Sequence, residues 1–514
     1  MNNRWAFVPN LKRPGVVVFV CALAIYGATS YAGIRSPDSE VVFELCDALR
    51  MRGSLAVDNT YTYQGFGVSS GRGGHRYAIF GPLESFACVP FLFAADAIDR
   101  TGWYQSLDYL PASFYIKDSL LHYLLNQSIE TNRVEHARRS LVAWWMGSLF
   151  GALGVLFFFR LARTLAGGRL RAPLIVTALY GTGTIAWPYA NTFFSEPLAT
   201  WLVLAALERL VCFRDAEPDP HPITAGVALG LAVCAHITAI LFVPFFAMLL
   251  PRRPAPTRAW LRPVALDWRR VLRFAGGLAG PFLLLGLYNL VRFGDPFETG
   301  RGIGRVYATW VMPFHGLWEL LVGPCKGLVV FAPAVLFGLV AWPRFHRLHP
   351  RLSATIAAAA LFRWLFIAAR SDWHGGFSLG PRFLVMLLPF LLLPIVPWLD
   401  ESITQGRRGL VAVALAVGLA CTVQQLLFVI GEVFSYLFYF KINMNLRGIY
   451  IIKDDVIYTD WTYSPLRHIL DSKRGPFLLH DIPMSNMSLW LCLSGVAALV
   501  YALAAVRLLR TPPR

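Results

Sequence analysis

Charge is scarce in this chain, and acid scarcer than base. Of 514 residues, 30 are Asp or Glu and 47 are Lys or Arg, so only 15% carry a charge at all. An ordinary soluble domain has about 25% charged residues, and that class is excluded. Paired cysteine spacings are also missing. The eight cysteines form no motif of the kind that holds zinc, and Cys21, Cys234, Cys421 and Cys492 lie inside apolar runs, where a thiol is a small hydrophobe. The residues alone leave open a meeting of Cys46 with Cys88 in an oxidising loop. No internal repeat, low-complexity segment or separable soluble domain is visible, which argues against a solenoid or a linked array.

What is abundant is apolar. Hydrophobic residues make up 56% of the chain and mean hydropathy is +0.52. A helix needs about 20 mostly apolar residues to cross a bilayer. Candidate runs lie at 15–33, 139–161, 173–187, 194–212, 222–235, 237–250, 272–292, 323–342, 353–369, 383–399, 409–431 and 488–508. They predict an all-α integral membrane protein with about 12 transmembrane helices, in a range of 11–13. The weakest pair, 222–235 and 237–250, reads either as one long kinked element or as two short spans.

The net charge of +17 admits nucleic acid as a partner until the arginines are located. Arg163, Arg169 and Arg171 follow the second run, Arg252, Arg253 and Arg258 the sixth, Arg344, Arg347 and Arg351 the eighth, and Arg407 and Arg408 the tenth. Basic residues in alternate loops are the positive-inside signature, so both termini are expected in the cytoplasm and nucleic acid is dropped as a partner. The bilayer remains. The opposite side then receives loops 34–138, 293–322, 370–382 and 432–487, the first with room for external juxtamembrane helices.

Chemistry-bearing residues gather in those external loops. In "SPDSEVVFELCDALRMRG", residues 36–53, Ser36 reads as an N-cap, Pro37 as the first helical residue and Gly53 as the terminator of an amphipathic surface helix. Asp38 and Glu40 fall in its first turn. Acids there commonly do no more than complement the helix dipole. An acid held just outside the lipid is also placed to take a proton from an acceptor hydroxyl. Residues two apart point to different sides of a helix, so one of the two is the candidate base, and Asp38 is chosen before Glu40. Further along, residues 71–98 join a glycine-rich basic turn to an apolar stretch of about a dozen residues, too short to span and suited to a surface or re-entrant helix. His75 and Arg76 in that turn are candidates for an anionic head group, and equally for ordinary solvated loop residues.

Four cations, Arg292, Arg301, Arg305 and Lys326, break the rule that external loops are poor in positive charge. An anionic, phosphate-bearing ligand would justify them, with snorkelling to lipid phosphates as the competing account. The stretch "SDWHGGFSLGPRF", residues 371–383, sets Asp372, His374 and Arg382 between two apolar runs. Gly375, Gly376 and Gly380 there let the backbone approach a ligand closely.

Taken in order, "SPDSE", "FFSEPLATWL", "YNLVRFGDPFETGRG", "GPCKGLVVFAPA" and "WHGGFSLGPRFL" resemble islands of bacterial multi-spanning glycosyltransferases of the GT-C class, related to protein O-mannosyltransferases and lipid A aminoarabinose transferases. The resemblance implies a hexosyl- or pentosyltransferase of the bacterial inner membrane. Such an enzyme takes sugar from a polyprenyl-phosphate carrier and passes it to a glycan, lipid or protein acceptor on the periplasmic face. It also carries the role of catalytic base onto Asp38. Where similar sequences often read Ser-Pro-Gly-Lys-Gly, this one has "GPCKG" at 323–327 and keeps Pro324, Lys326 and Gly327. The expected mechanism holds the donor phosphate on Lys326 and Arg382 with His374 nearby, while Asp38 deprotonates an acceptor hydroxyl that attacks the anomeric carbon and inverts it. No ligand cluster demands a metal, and a divalent ion assisting the phosphate is compatible with the sequence. The expected division is a GT-C-like catalytic module over 1–431, an external cap over 432–487, and a last span with its tail over 488–514. The competing readings are a lipid-linked polysaccharide polymerase or ligase, and a transporter or flippase of lipid-linked sugars. Spans nearly free of charge, with Glu208 and Arg363 as exceptions, weigh against passage through the membrane.

Overall fold

The computed structural model of the protein describes residues 14–30, 34, 36–57, 67–102, 133–212, 221–250, 267–302, 309–376, 378–430 and 456–470. A backbone inside hydrocarbon must satisfy its own hydrogen bonds, and this chain does so with helices. In chain order they are α1 (Pro14–Thr29), α2 (Pro37–Arg52), α3 (Leu83–Asp99), α4 (Arg133–Leu165), α5 (Arg171–Thr182), α6 (Glu196–Cys212), α7 (His221–Ala235), α8 (Trp268–Phe293), α9 (Pro313–Val322), α10 (Ala334–Leu348), α11 (Pro350–Ala368), the broken span α12 (Arg382–Thr404) and α13 (Arg408–Ile430). Among the described residues α4, α8, α11, α12 and α13 are long and apolar enough to cross a membrane, and α1, α7 and Ile237–Ala247 are shorter apolar helices. The protein is therefore a multi-pass membrane protein. The expected span 488–508, Arg305 and most of the expected cap lie outside the described residues.

Packing runs α1 on α4, α4 on α6, α6 on α7 and α7 on α8, with α12 sealed in the middle. On α8 the side chains of Leu283, Leu284 and Leu287 are exposed, and on α13 so are Val413, Leu419 and Val423. Apolar stripes of that kind suit contact with lipid.

Local signals place α2 where the sequence puts it. Ser36 Oγ accepts from the Asp38 N–H at 3.2 Å, and Gly53 ends the helix at φ 59°. The difference is its depth. A surface helix would bury one stripe, but Val41 and Leu45 pack under one apolar cluster while Phe43 and Cys46 are buried in the main core. What sits over the other side is a feature the sequence did not suggest: a small antiparallel hairpin, β1 (Val68–Ser70) with β2 (Arg76–Ala78), in register Ser69 with Tyr77. Arg292 clasps the hairpin to α8, donating to the Ala78 carbonyl with its guanidinium 3.6 Å from the centre of the Tyr288 ring.

The pair of weak spans resolves into two elements. α7 ends at Ala235, His236 is extended (φ −144°, ψ 109°), and a 3-10 turn Ile237–Phe242 leads into a short helix. Polar side chains then mark two levels. Arg160 meets Glu208 at 2.6 Å, Arg344 meets Glu401 at 2.6 Å and Arg169 pairs with Asp400 at the arginine-rich ends of the helices. The opposite ends carry a second, more enclosed set.

Candidate active site

Three chain segments converge on Arg382 at those opposite ends. Its Nη1 donates to Asp38 Oδ2 at 2.6 Å, and its Nε to Glu196 Oε1 at 2.5 Å. The guanidinium also lies over the Phe194 ring, 4.1 Å from its centre. α2 supplies Asp38 from its capped first turn, α6 supplies Glu196 from its first turn, and α12 begins with Arg382. A cation withdrawn from water to this degree must be paired, and here two carboxylates share it. They are not equivalent. The Asp38 side chain keeps 19% of its exposure, whereas Glu196 keeps none.

Glu84, near the start of α3, is buried beside this cluster. Burial, reinforced by Glu196 and Asp38 against the opposing pull of Arg382, pushes its carboxyl up to about 8. A third acid at the site is thus largely protonated at neutral pH. His236, presented by the helix break, brings Nε2 to 3.9 Å from Glu196 Oε1. Glu196 Oε2 is buried with no hydrogen-bond partner among the described residues.

Glu40 has a different environment from Asp38, as residues two apart on a helix should. It is fully buried, and Arg139 Nη1 reaches both of its oxygens at 2.5 Å while Nη2 donates to Glu44 at 3.0 Å. Asp372 pairs with Arg370 at 2.6 Å. Arg301 lies within electrostatic range of Arg370, Asp372, Asp38 and Arg382. His75 and Arg76 belong instead to the hairpin, with His75 6.4 Å edge-on to Tyr77.

The loop 323–327 makes a second station. Lys326 is buried, and its Nζ donates to the Gly376 carbonyl at 2.7 Å, the Ser378 carbonyl at 2.7 Å and Ser378 Oγ at 3.2 Å. These acceptors exist because Gly376 and Gly380 turn with φ 69° and 57°, which favours glycine, and at Gly380 a side chain would also strike Phe331. His374 Nδ1 accepts from the Gly376 N–H at 2.9 Å, and its ring stacks on Tyr458 with centroids 3.8 Å apart. Burial, followed by the charge of Lys326, holds His374 down at about 3, so the imidazole is neutral at physiological pH.

Burial also lowers Lys326 from 10.5 to about 7. Between those values the unfolded chain holds a proton that the folded chain does not, so stability rises with pH across that window and is lowest below it. Glu84, raised to about 8, works in the opposite sense up to that pH, so the test reads a difference: in thermal unfolding, the stability of the wild type relative to Lys326→Met should be greater at pH 9 than at pH 6. Equal changes in both would refute this account.

Glu84, Glu196 and His236 are the residues that sequence reasoning passed over. Glu196 sits inside the quoted "FFSEPLATWL", where a first-turn acid reads as a dipole complement. Glu84 carried a usable signal, an acid opening an otherwise apolar stretch. Among the described residues no group of three or more His, Cys, Asp or Glu is arranged to hold a metal ion.

A helical membrane protein with an enclosed acid–arginine cluster at one membrane level is the class that these observations define. No protein-family model matches the chain, and no curated protein matches it. Two solved structures are similar over 96% of this chain and 77% of theirs, both of ArnT from Cupriavidus metallidurans. The one bound to undecaprenyl phosphate is 14% identical with a TM-score of 0.42, and the apo one is 13% identical with a TM-score of 0.47. At these values the likeness decides neither ligand nor activity.

Proposed function

We propose that the protein is a membrane glycosyltransferase that moves a hexosyl or pentosyl group from a polyprenyl-phosphate carrier to a hydroxyl of a glycan, lipid or protein. In this reading the acid–arginine face is periplasmic, the arginine-rich helix ends and both termini are cytoplasmic, and about twelve spans carry the chain. The observation that supports it best is the position of Asp38: an acid at the outer ends of the helices, partly open and held at 2.6 Å by an arginine that a second, sealed acid also fixes. Such an acid is oriented and still reachable, as a general base must be.

The surrounding charge suits a phosphate. Asp38, Glu196 and Asp372 are matched by Arg382, Arg301 and Arg370, Glu84 is largely neutral, and Arg363 hydrogen-bonds carbonyl and hydroxyl oxygens of Thr238 and Phe383 rather than an acid. The balance is positive. In the proposed reaction Asp38 takes the acceptor proton, the acceptor oxygen attacks the anomeric carbon from the face opposite the carrier, and the bond to the carrier phosphate breaks. Arg301, Arg382 and Lys326 receive the charge left on that phosphate, Lys326 exchanging a carbonyl contact for it and, where it was neutral, taking up a proton from solvent. One such preorganised contact is worth about 10²–10³ in rate. His75 and Arg76 contribute at the hairpin to lipid head groups, and His374 positions the 374–378 turn around Lys326.

The test uses the full-length protein in nanodiscs with a panel of polyprenyl-phosphate-linked sugars and follows release of polyprenyl phosphate. Release that depends on an added acceptor supports the reading. Absence of both binding and release across the panel overturns it and favours a transport role.

A further inference from the structure

α2 and α3 lie side by side and run in the same direction. At one level Ser85 Oγ donates to the Val42 carbonyl at 2.8 Å, and two turns further on Arg50 meets Asp96 at 2.6 Å. Midway between these contacts Cys46 and Cys88 are free thiols buried in the same core, both at 0% exposure, and Cys46 is close enough to act on the Cys88 thiol. Other thiols bond elsewhere: Cys212 to Thr164 Oγ1, Cys234 to the Pro281 carbonyl and Cys325 to the Asp460 carbonyl. Cys46 and Cys88 thus form a matched pair of sulfurs on two helices already pinned above and below.

We infer that Cys46 and Cys88 form a disulfide that locks α2 to α3. The inference rests on the proposed placement of this face outside the cytoplasm, where thiols are oxidised. The oxidant is a disulfide-bearing protein of the thiol–disulfide exchange type. One cysteine thiolate attacks the oxidant's disulfide to give a mixed disulfide, and the second thiolate attacks the bound cysteine sulfur. The new S–S bond forms, two electrons pass to the oxidant, and its two sulfurs leave as thiols carrying the two protons lost by Cys46 and Cys88. In the folded protein burial raises the Cys88 thiol well above its ordinary value, which leaves little thiolate, so the exchange belongs to the stage before α2 and α3 close on each other.

The link has a use at the site. α2 carries Asp38 and α3 carries Glu84, so a covalent tie between the two helices fixes the spacing of the open acid and the neutral one around Arg382. It also closes a loop that includes the hairpin, which restricts the unfolded chain.

The experiment is a thiol count on the full-length protein. Cells are quenched with N-ethylmaleimide, and the purified protein is denatured, alkylated without reductant and weighed, then reduced and alkylated with a second, heavier reagent. With eight cysteines in the chain, six first-reagent adducts and two second-reagent adducts are expected, the latter on Cys46 and Cys88 by peptide mapping. Eight first-reagent adducts, or a linked pair elsewhere, overturn the inference. Reduction should also lower the wild-type Tm while leaving Cys46→Ser, already at the lower value, unmoved; should that variant not accumulate, the wild-type count still decides. The count is independent of sugar transfer. A linked pair in a protein without turnover sinks only the transferase reading, and free thiols in an active transferase sink only the link.

Discussion

Asp38→Asn is expected to bind a polyprenyl-phosphate donor as the wild type does and to transfer its sugar about 10²–10⁴-fold more slowly, the range typical of a lost general base. The asparagine keeps an oxygen for Arg382 Nη1, and Glu196 keeps its hold on Nε, so the cluster stays assembled. What is lost is the capacity to accept a proton. The contrasting variant is Glu40→Gln, which lies in the same turn but takes one charge from a pair with Arg139 that is sealed from solvent. Its expected effect is on stability, since uncoupling a buried pair costs about 3–5 kcal/mol, with little change in kcat for the molecules that remain folded. Single-turnover transfer with preloaded donor separates the two. Full activity in Asp38→Asn would remove the base assignment and turn attention to Asp372, another acid of the rim open to solvent.

Arg382→Met should give the largest loss of stability among single changes at the site. It strands Asp38 and Glu196 together next to Glu84, with no cation in contact with any of them from that position. An unpaired buried charge costs roughly 3–5 kcal/mol, and two acids sharing the site would make protonation the way out. The variant should therefore recover stability as pH falls from 7 towards 5, more steeply than the wild type, in which Glu84 alone of these three acids is raised. Adding Glu196→Gln to Arg382→Met should restore much of the loss at pH 7 without restoring transfer. Thermal unfolding across that pH range is the measurement. An Arg382→Met protein as stable as wild type at neutral pH would mean that the arginine is not what holds these acids.

The parts of this site that could be read from sequence are those encoded locally. Ser36, Pro37 and Gly53 sit within one helix of each other and each acts on its nearest backbone, so the ends of α2 were legible. So was the irregular backbone at 371–383, because three glycines and a proline leave a helix no interior there. The partnership of Asp38 with Arg382 was not, since nothing in either stretch names the other. Lys326 shows a different obstacle. Between glycines its ammonium looked free for a phosphate, but the groups that occupy it are main-chain carbonyls of Gly376 and Ser378, and a carbonyl has no letter of its own. His236 was hidden because its importance comes from a break between α7 and the following 3-10 turn, with apolar Ala235 and Ile237 on either side of it. Likewise the apolar spacing in α2 showed one buried face, and the second became necessary only once the hairpin covered it.

Asp38 and its arginine are 344 residues apart. At synthesis rates of about 5–20 residues per second, the helix bearing the acid waits at the membrane for roughly 20 s to a minute before the ribosome has made its counter-charge. Throughout that interval the nascent chain has an acid without its cation, and Glu196 arrives in the same condition. A chain that ends before α12 therefore lacks the cation that holds both Asp38 and Glu196 in the finished fold.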